Sequence, residues 1–104
     1  MALLTEAEVA ERAKTLDGWT VEPKAIRKEF IFHDFPEAVL FVSALVPGAE
    51  EADHHPDILI RYKRVALTLS THSEGGLTRK DFDGAAMADA IAAEMPHLIE
   101  FGDG

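Results

Sequence analysis

The chain has 104 residues, carries ten Lys and Arg against nineteen Asp and Glu for a formal charge of -9, and contains no cysteine. That length suits one domain around one core. The charge repels a polyanion and argues against direct nucleic-acid binding, and the missing thiols remove disulfides, thiolate metal sites and cysteine nucleophiles together. With no apolar run near ~18 residues and no basic-then-apolar leader, the sequence reads as cytoplasmic and without a membrane anchor.

In chain order, Thr5 and Glu8 form a capping box with Leu4 and Val9 placed as its hydrophobic staple, so a helix begins near Glu6 and is expected to end at Gly18. The acidic stretch from Glu6 to Glu11 reads as a solvated face. Residues 20 to 22 and 25 to 32 read as two strands joined through Pro23-Lys24, the second placing Ile26, Phe30 and Phe32 opposite Arg27 and Glu29. Asp34 caps a second helix with an apolar stripe of Ala38, Phe41, Val42 and Leu45, and Pro47-Gly48 should stop or kink it.

Ile58, Ile60 and Tyr62 alternate on a third strand and Val65, Leu67 and Leu69 on a fourth, with Lys63-Arg64 expected as the turn and Tyr62 expected to pack in the core. Thr78 caps a third helix running to about Met95, with Ala88, Ile91 and Met95 buried, before Pro96. The fold class expected is α+β, in the order α-β-β-α-β-β-α. A four-stranded antiparallel sheet carries three helices on one face, within a single domain over residues 1 to 104. Residues 98 to 104 read as a loose tail, and His33 and His97 as surface residues.

A polar set gathers within residues 50 to 81 of a chain otherwise rich in Ala, Leu and Val: Glu50, His54, His55, Tyr62, His72 and Asp81, with Pro56 after the histidine pair. Such a set is costly to gather unless something uses it. His55 precedes a proline and is pushed toward extended backbone, where successive side chains point apart, so an irregular backbone is needed if both imidazoles share one pocket. Asp81 sits at the third helical position after Thr78, where a carboxylate serves reciprocal capping as well as orienting an imidazole. Glu50 reads as an anchor for the loop backbone or a ligand amide, or equally as a solvated glutamate at a helix end. Three imidazoles and a carboxylate also make a zinc-binding module a competing reading, although neither a Cys ligand nor an H-E-x-x-H helix is present.

The spacing Glu50-x3-His54-His55-Pro56-x5-Tyr62-x9-His72-x8-Asp81, with Gly18-Trp19 and the run Leu67 to His72, resembles the signature of the pterin-4a-carbinolamine dehydratases over residues 3 to 95. The resemblance implies a hydro-lyase that removes water from a 4a-hydroxytetrahydropterin to give a quinonoid dihydropterin, in tetrahydrobiopterin recycling. His54, His55 and His72 would perform the proton transfers, and Asp81 and Glu50 would bind or orient. One acid and one base suffice, so neither metal nor cofactor is expected, and imidazole titrates near pH ~6.5 where it serves as either.

The resemblance also implies a homo-oligomer, dimer or tetramer, and as partners a small-molecule pterin and a pterin-dependent aromatic amino acid hydroxylase. Some members of that family partner a transcription factor, which makes a non-enzymatic interaction protein the other competing reading. Two departures stand out. Ile58 replaces an aromatic residue common two positions after the proline. Pro47 interrupts a helix that in the family continues toward the histidines, so a kink with helical continuation over residues 49 to 52 is expected.

Overall fold

A computed structural model describes residues 3–95. Helix α1 (Glu6–Ala13) opens on the expected box: the Glu8 N–H donates to Thr5 Oγ1 at 3.1 Å and the Thr5 N–H to Glu8 Oε1 at 2.9 Å. It stops well before Gly18. The Thr15 hydroxyl donates to the Arg12 carbonyl at 2.8 Å, and the N–H groups of Lys14, Thr15 and Leu16 each turn back three residues, so the helix tightens and ends. Gly18 is used later, in the bend before Trp19, at a φ of +84°.

Strands β1 (Thr20–Val21), β2 (Ile26–Ile31), β3 (Asp57–Arg61) and β4 (Arg64–Leu69) form one sheet in the order β1-β2-β4-β3, antiparallel throughout. Alternation divides its faces: Ile26, Phe30, Val65, Leu67 and Leu69 are buried, and Arg27, Glu29 and Arg64 are exposed. Arg61 pairs with Arg64, so the hairpin turn is Tyr62-Lys63, one residue earlier than expected. Tyr62 supplies its left-handed position at a φ of +56° and is 67% exposed, which takes its ring out of the core.

Helix α2 (Phe35–Ala52) is capped by Asp34 Oδ1, which accepts from the Glu37 N–H at 3.0 Å. Ala38, Phe41, Leu45 and Ala49 are its buried stripe, and Phe41 lies 4.8 Å from both Phe30 and Phe32, centroid to centroid. Burying one such ring contributes about 1.5 to 3 kcal/mol. The helix passes through Pro47 and continues over residues 49 to 52. The carbonyl that loses its donor belongs to Ser43, an exposed residue where water can replace the bond.

A short 3-10 turn (His72–Glu74) and the isolated bridge between Thr71 and Gly76 lead into helix α3 (Arg79–Glu94), capped by Thr78 with Asp81. Helices α2 and α3 pack on each other and on the sheet. Ala88 and Met95 are buried as expected, and Ile91 packs partly buried against them. A second cluster of Ile26, Leu69, Leu77, Phe82 and Ala85 is covered by Leu4, Val9 and Leu16, as the staple requires. Trp19 is tied to α3, its Nε1–H donating to Asp89 Oδ2 at 2.9 Å beside a Lys28 Nζ to Oδ1 bond of 2.8 Å. His33, expected at the surface, is half-buried; His97 and the tail lie outside the described residues.

Candidate active site

The last turn of α2 sets the geometry. Asp53 closes the helix in the left-handed conformation at a φ of +50°, and the His54 N–H reaches back to the Ala49 carbonyl at 3.1 Å. A β-region residue there would carry the chain away from the helix end; the left-handed one folds it underneath. Pro56 then forces His55 toward extended backbone, and the two imidazoles part company.

His54 turns toward α3. Its Nε2 lies 2.7 Å from Asp81 Oδ1, with the His54 side chain 11% exposed and Asp81 wholly buried. The other carboxylate oxygen, Asp81 Oδ2, accepts from the Thr71 hydroxyl at 2.8 Å and from the Thr78 N–H at 2.9 Å. The Thr71 and Thr78 hydroxyls are themselves 2.8 Å apart. Asp81 therefore caps α3, ties down the end of the β4 segment and orients an imidazole at once.

His55 turns the other way. Its Nε2 lies 2.6 Å from Glu50 Oε2, in a pair whose side chains are 55% and 69% exposed. Water screens such a pair, so it fixes ring orientation more than it stabilises the fold. Two depressions flank the end of α2 and share Ala49. One, about 150 Å³, is lined by His54, Gly48, Lys80, Asp83, Gly84 and Met87, and the other, about 170 Å³, by His55, Glu50, Val46, Pro56 and Ile58. A larger apolar one of about 610 Å³, between α1, β1 and Leu77, contains no histidine.

His72 is exposed at the start of the 3-10 turn. Its chain neighbour Thr71 bonds Asp81, so His72 stands one residue from the His54 network, although among the described residues no hydrogen bond joins it to another histidine. Glu50, His54, His55 and Asp81 thus lie around the end of α2 and the start of α3 in two bonded pairs, and His72 follows Thr71 in the chain but lines neither depression. The sequence did not single out the Thr71 hydroxyl, which follows a strand with no periodic signal, nor Lys80 and Asp83. They line the first depression together with Gly84 and Met87, with Asp83, Gly84 and Met87 three, four and seven residues on from Lys80 along one face of α3, a signal that needs the site to be located first.

A family model described as pterin 4 alpha carbinolamine dehydratase matches residues 2–91. A relative from Roseiflexus castenholzii, named provisionally as a pterin-4-alpha-carbinolamine dehydratase, is 53% identical over 90 residues, covering 86% of this chain and 97% of its own. One from Sulfolobus acidocaldarius with the same provisional name is 47% identical over 88 residues, covering 85% and 97%. A crystal structure from Brucella melitensis, described as a transcriptional coactivator/pterin dehydratase, superposes with a TM-score of 0.83 at 42% identity, covering 86% of this chain and 98% of its own. A pterin dehydratase-like protein, identified as a RuBisCO assembly factor in the alpha-carboxysome, superposes with a TM-score of 0.59 at 28% identity, covering 71% and 86%. Family model, relatives and fold agree, and the chain belongs to the pterin-4a-carbinolamine dehydratase family.

Proposed function

We propose that the chain dehydrates a 4a-hydroxytetrahydropterin to the quinonoid dihydropterin by histidine acid-base chemistry. The observation that carries this reading is the bond between His54 and the buried, otherwise donor-saturated Asp81. A carboxylate has no proton to donate, so across the Asp81 Oδ1 bond Nε2 of neutral His54 carries the proton and Nδ1 keeps a lone pair, which suits His54 to act as the base. It takes the proton from the ring nitrogen as that nitrogen's lone pair forms the new carbon-nitrogen double bond. A second, protonated imidazole gives its proton to the departing hydroxyl, which leaves as water. We assign that role to His72, which follows the Asp81-bonded Thr71 in the chain, whereas His55 with Glu50 bounds the neighbouring depression and contacts the substrate.

Each depression is smaller than the ~300 Å³ at which small-molecule pockets commonly begin. The bicyclic ring would accordingly lie across the end of α2 with one edge toward each histidine. No cofactor enters this scheme, since dehydration moves protons and no electrons. Recycling of tetrahydrobiopterin alongside a pterin-dependent aromatic amino acid hydroxylase, in the cytoplasm, is the setting this reading implies. The test mixes purified protein with freshly generated carbinolamine and follows quinonoid formation by absorbance. Acceleration lost in His54→Ala supports the reading, and a rate equal to the spontaneous one counts against it.

A non-enzymatic interaction role is a second reading, favoured by the descriptions of the two structural neighbours, one a coactivator and the other an assembly factor. A protein that leaves the carbinolamine rate unchanged but is retained by a specific partner would support it.

A further inference from the structure

We infer that Thr71 is a positioning residue for the dehydration, its hydroxyl aiming Asp81 so that His54 is held in the single tautomer that can act as base. This rests on the dehydratase reading above. The Thr78 hydroxyl oxygen accepts from the Lys80 N–H at 3.3 Å, so its own proton is free to point at Thr71 Oγ1, 2.8 Å away. Thr71 then accepts from Thr78 and directs its proton at Asp81 Oδ2, also 2.8 Å away. A hydroxyl carries one proton, and this ordering uses each once. The chain of donors runs Lys80 N–H, Thr78, Thr71, Asp81, and ends at an oxygen pair that only accepts.

The consequence is geometric. With Oδ2 engaged by the Thr71 hydroxyl and the Thr78 N–H, the carboxylate cannot rotate without breaking two bonds, and Oδ1 remains fixed on His54 Nε2. Thr71 is 7% exposed and Thr78 and Asp81 are wholly buried, so water does not stand in for a lost partner. The charged groups that share the His54 depression, Lys80 and Asp83, lie on α3 and make no described side-chain bond to Asp81. Thr71 also precedes His72, so the residue that locks the proposed base is covalently joined to the proposed acid.

The experiment compares full-length wild type, Thr71→Val and Thr71→Ser. Histidine ring nitrogen shifts, read without substrate, should show His54 as one Nε2–H tautomer in wild type and Thr71→Ser, and as a mixture in Thr71→Val. The kcat of Thr71→Val should fall about tenfold, less than the ~100-fold expected for removing an acid-base group outright, with KM within about twofold. A merely structural hydroxyl would lower the melting temperature and leave the tautomer and kcat of the folded protein alone, and that result overturns the inference. In the unsubstituted chain, the Thr71 hydroxyl proton should be a resolved, slowly exchanging resonance. Rapid exchange with water would overturn the inference even if the valine variant failed to fold. Because the tautomer is read without substrate, absence of dehydratase activity would sink the functional reading while leaving this test intact.

Discussion

Asp81 and His54 make an unequal pair for substitution. Asp81→Asn keeps one acceptor oxygen, which the Thr71 hydroxyl and Thr78 N–H will claim, and presents its NH2 to His54. Two donors then face each other unless the ring switches tautomer and moves its proton to Nδ1, the atom needed bare. The expected outcome is a protein that retains its α3 cap and its melting temperature to within a few degrees yet loses at least ~100-fold in dehydration rate. His54→Ala and His72→Ala should each slow the reaction, and the double variant should be much less impaired than the product of the single effects, since both act on one transition state. Steady-state kinetics on folded single and double variants decide this. Wild-type rates in the double variant would remove both histidines from the chemistry.

At the scale of elements, α1 offers a pH test. The Thr5 backbone N–H, then its hydroxyl, hold the Glu8 carboxyl below its ordinary 4.5, with Arg12 adding a smaller effect in the same direction. A lowered folded-state value means the contribution is complete above about 4.5 and disappears as pH falls through the lowered value, so α1 should fray from its N-terminus in that acid window. Thr5→Ala removes the cap and should cost about 1 kcal/mol at neutral pH, measured by denaturant unfolding, with that difference shrinking in acid.

The contact between α2 and α3 gives a second test: a Cβ on Gly48 would fall 2.1 Å from Met87 Sδ. Gly48→Ala gains about 1 kcal/mol of helix propensity but overpacks a tight crossing, for a net loss of roughly 1 kcal/mol. In a Met87→Ala background the same substitution should turn stabilising, and a loss in both backgrounds would place the clash elsewhere.

These same elements mark what could be read from the residues. Both capping boxes, the Phe41 stripe and the strand alternation were legible because each depends on neighbours within a few positions. The Tyr62 turn was not, because its position is set by the register of β3 on β4, and alternation alone extended the strand one residue too far. Pro47 divided local rule from resemblance, and the helix continues because Ser43 can give its carbonyl to water. The five site residues follow from the resemblance of their spacing to the family signature. Their sorting into a His54–Asp81 pair and a His55–Glu50 pair was hidden, since it follows from the left-handed Asp53 and the extended backbone before Pro56.

For the molecule as a whole, two expectations follow. Among the described residues no three of His, Asp and Glu converge to hold a metal ion, and each of the paired imidazoles is taken up by one carboxylate. Prolonged chelation should therefore leave dehydration rate and unfolding midpoint unchanged, and a loss restored by zinc would revive the metal-site reading. The sheet has two edges of different character. β1 offers only two residues, whereas β3 offers five, unpaired on its outer side, with Ile58 and Leu59 38% and 56% exposed. A strand of that length with apolar flanks is a template for another strand, and a second copy of β3 running antiparallel across a two-fold axis satisfies both edges at once. Light scattering at micromolar concentration should accordingly give a mass of two chains or a multiple of two. Leu59→Lys places like charges near one another across that axis and should shift the mass toward one chain while circular dichroism retains the sheet. A wild-type protein that scatters as a single chain up to about 100 µM would show that β3 stays solvated, and the oligomer expectation would fall with it.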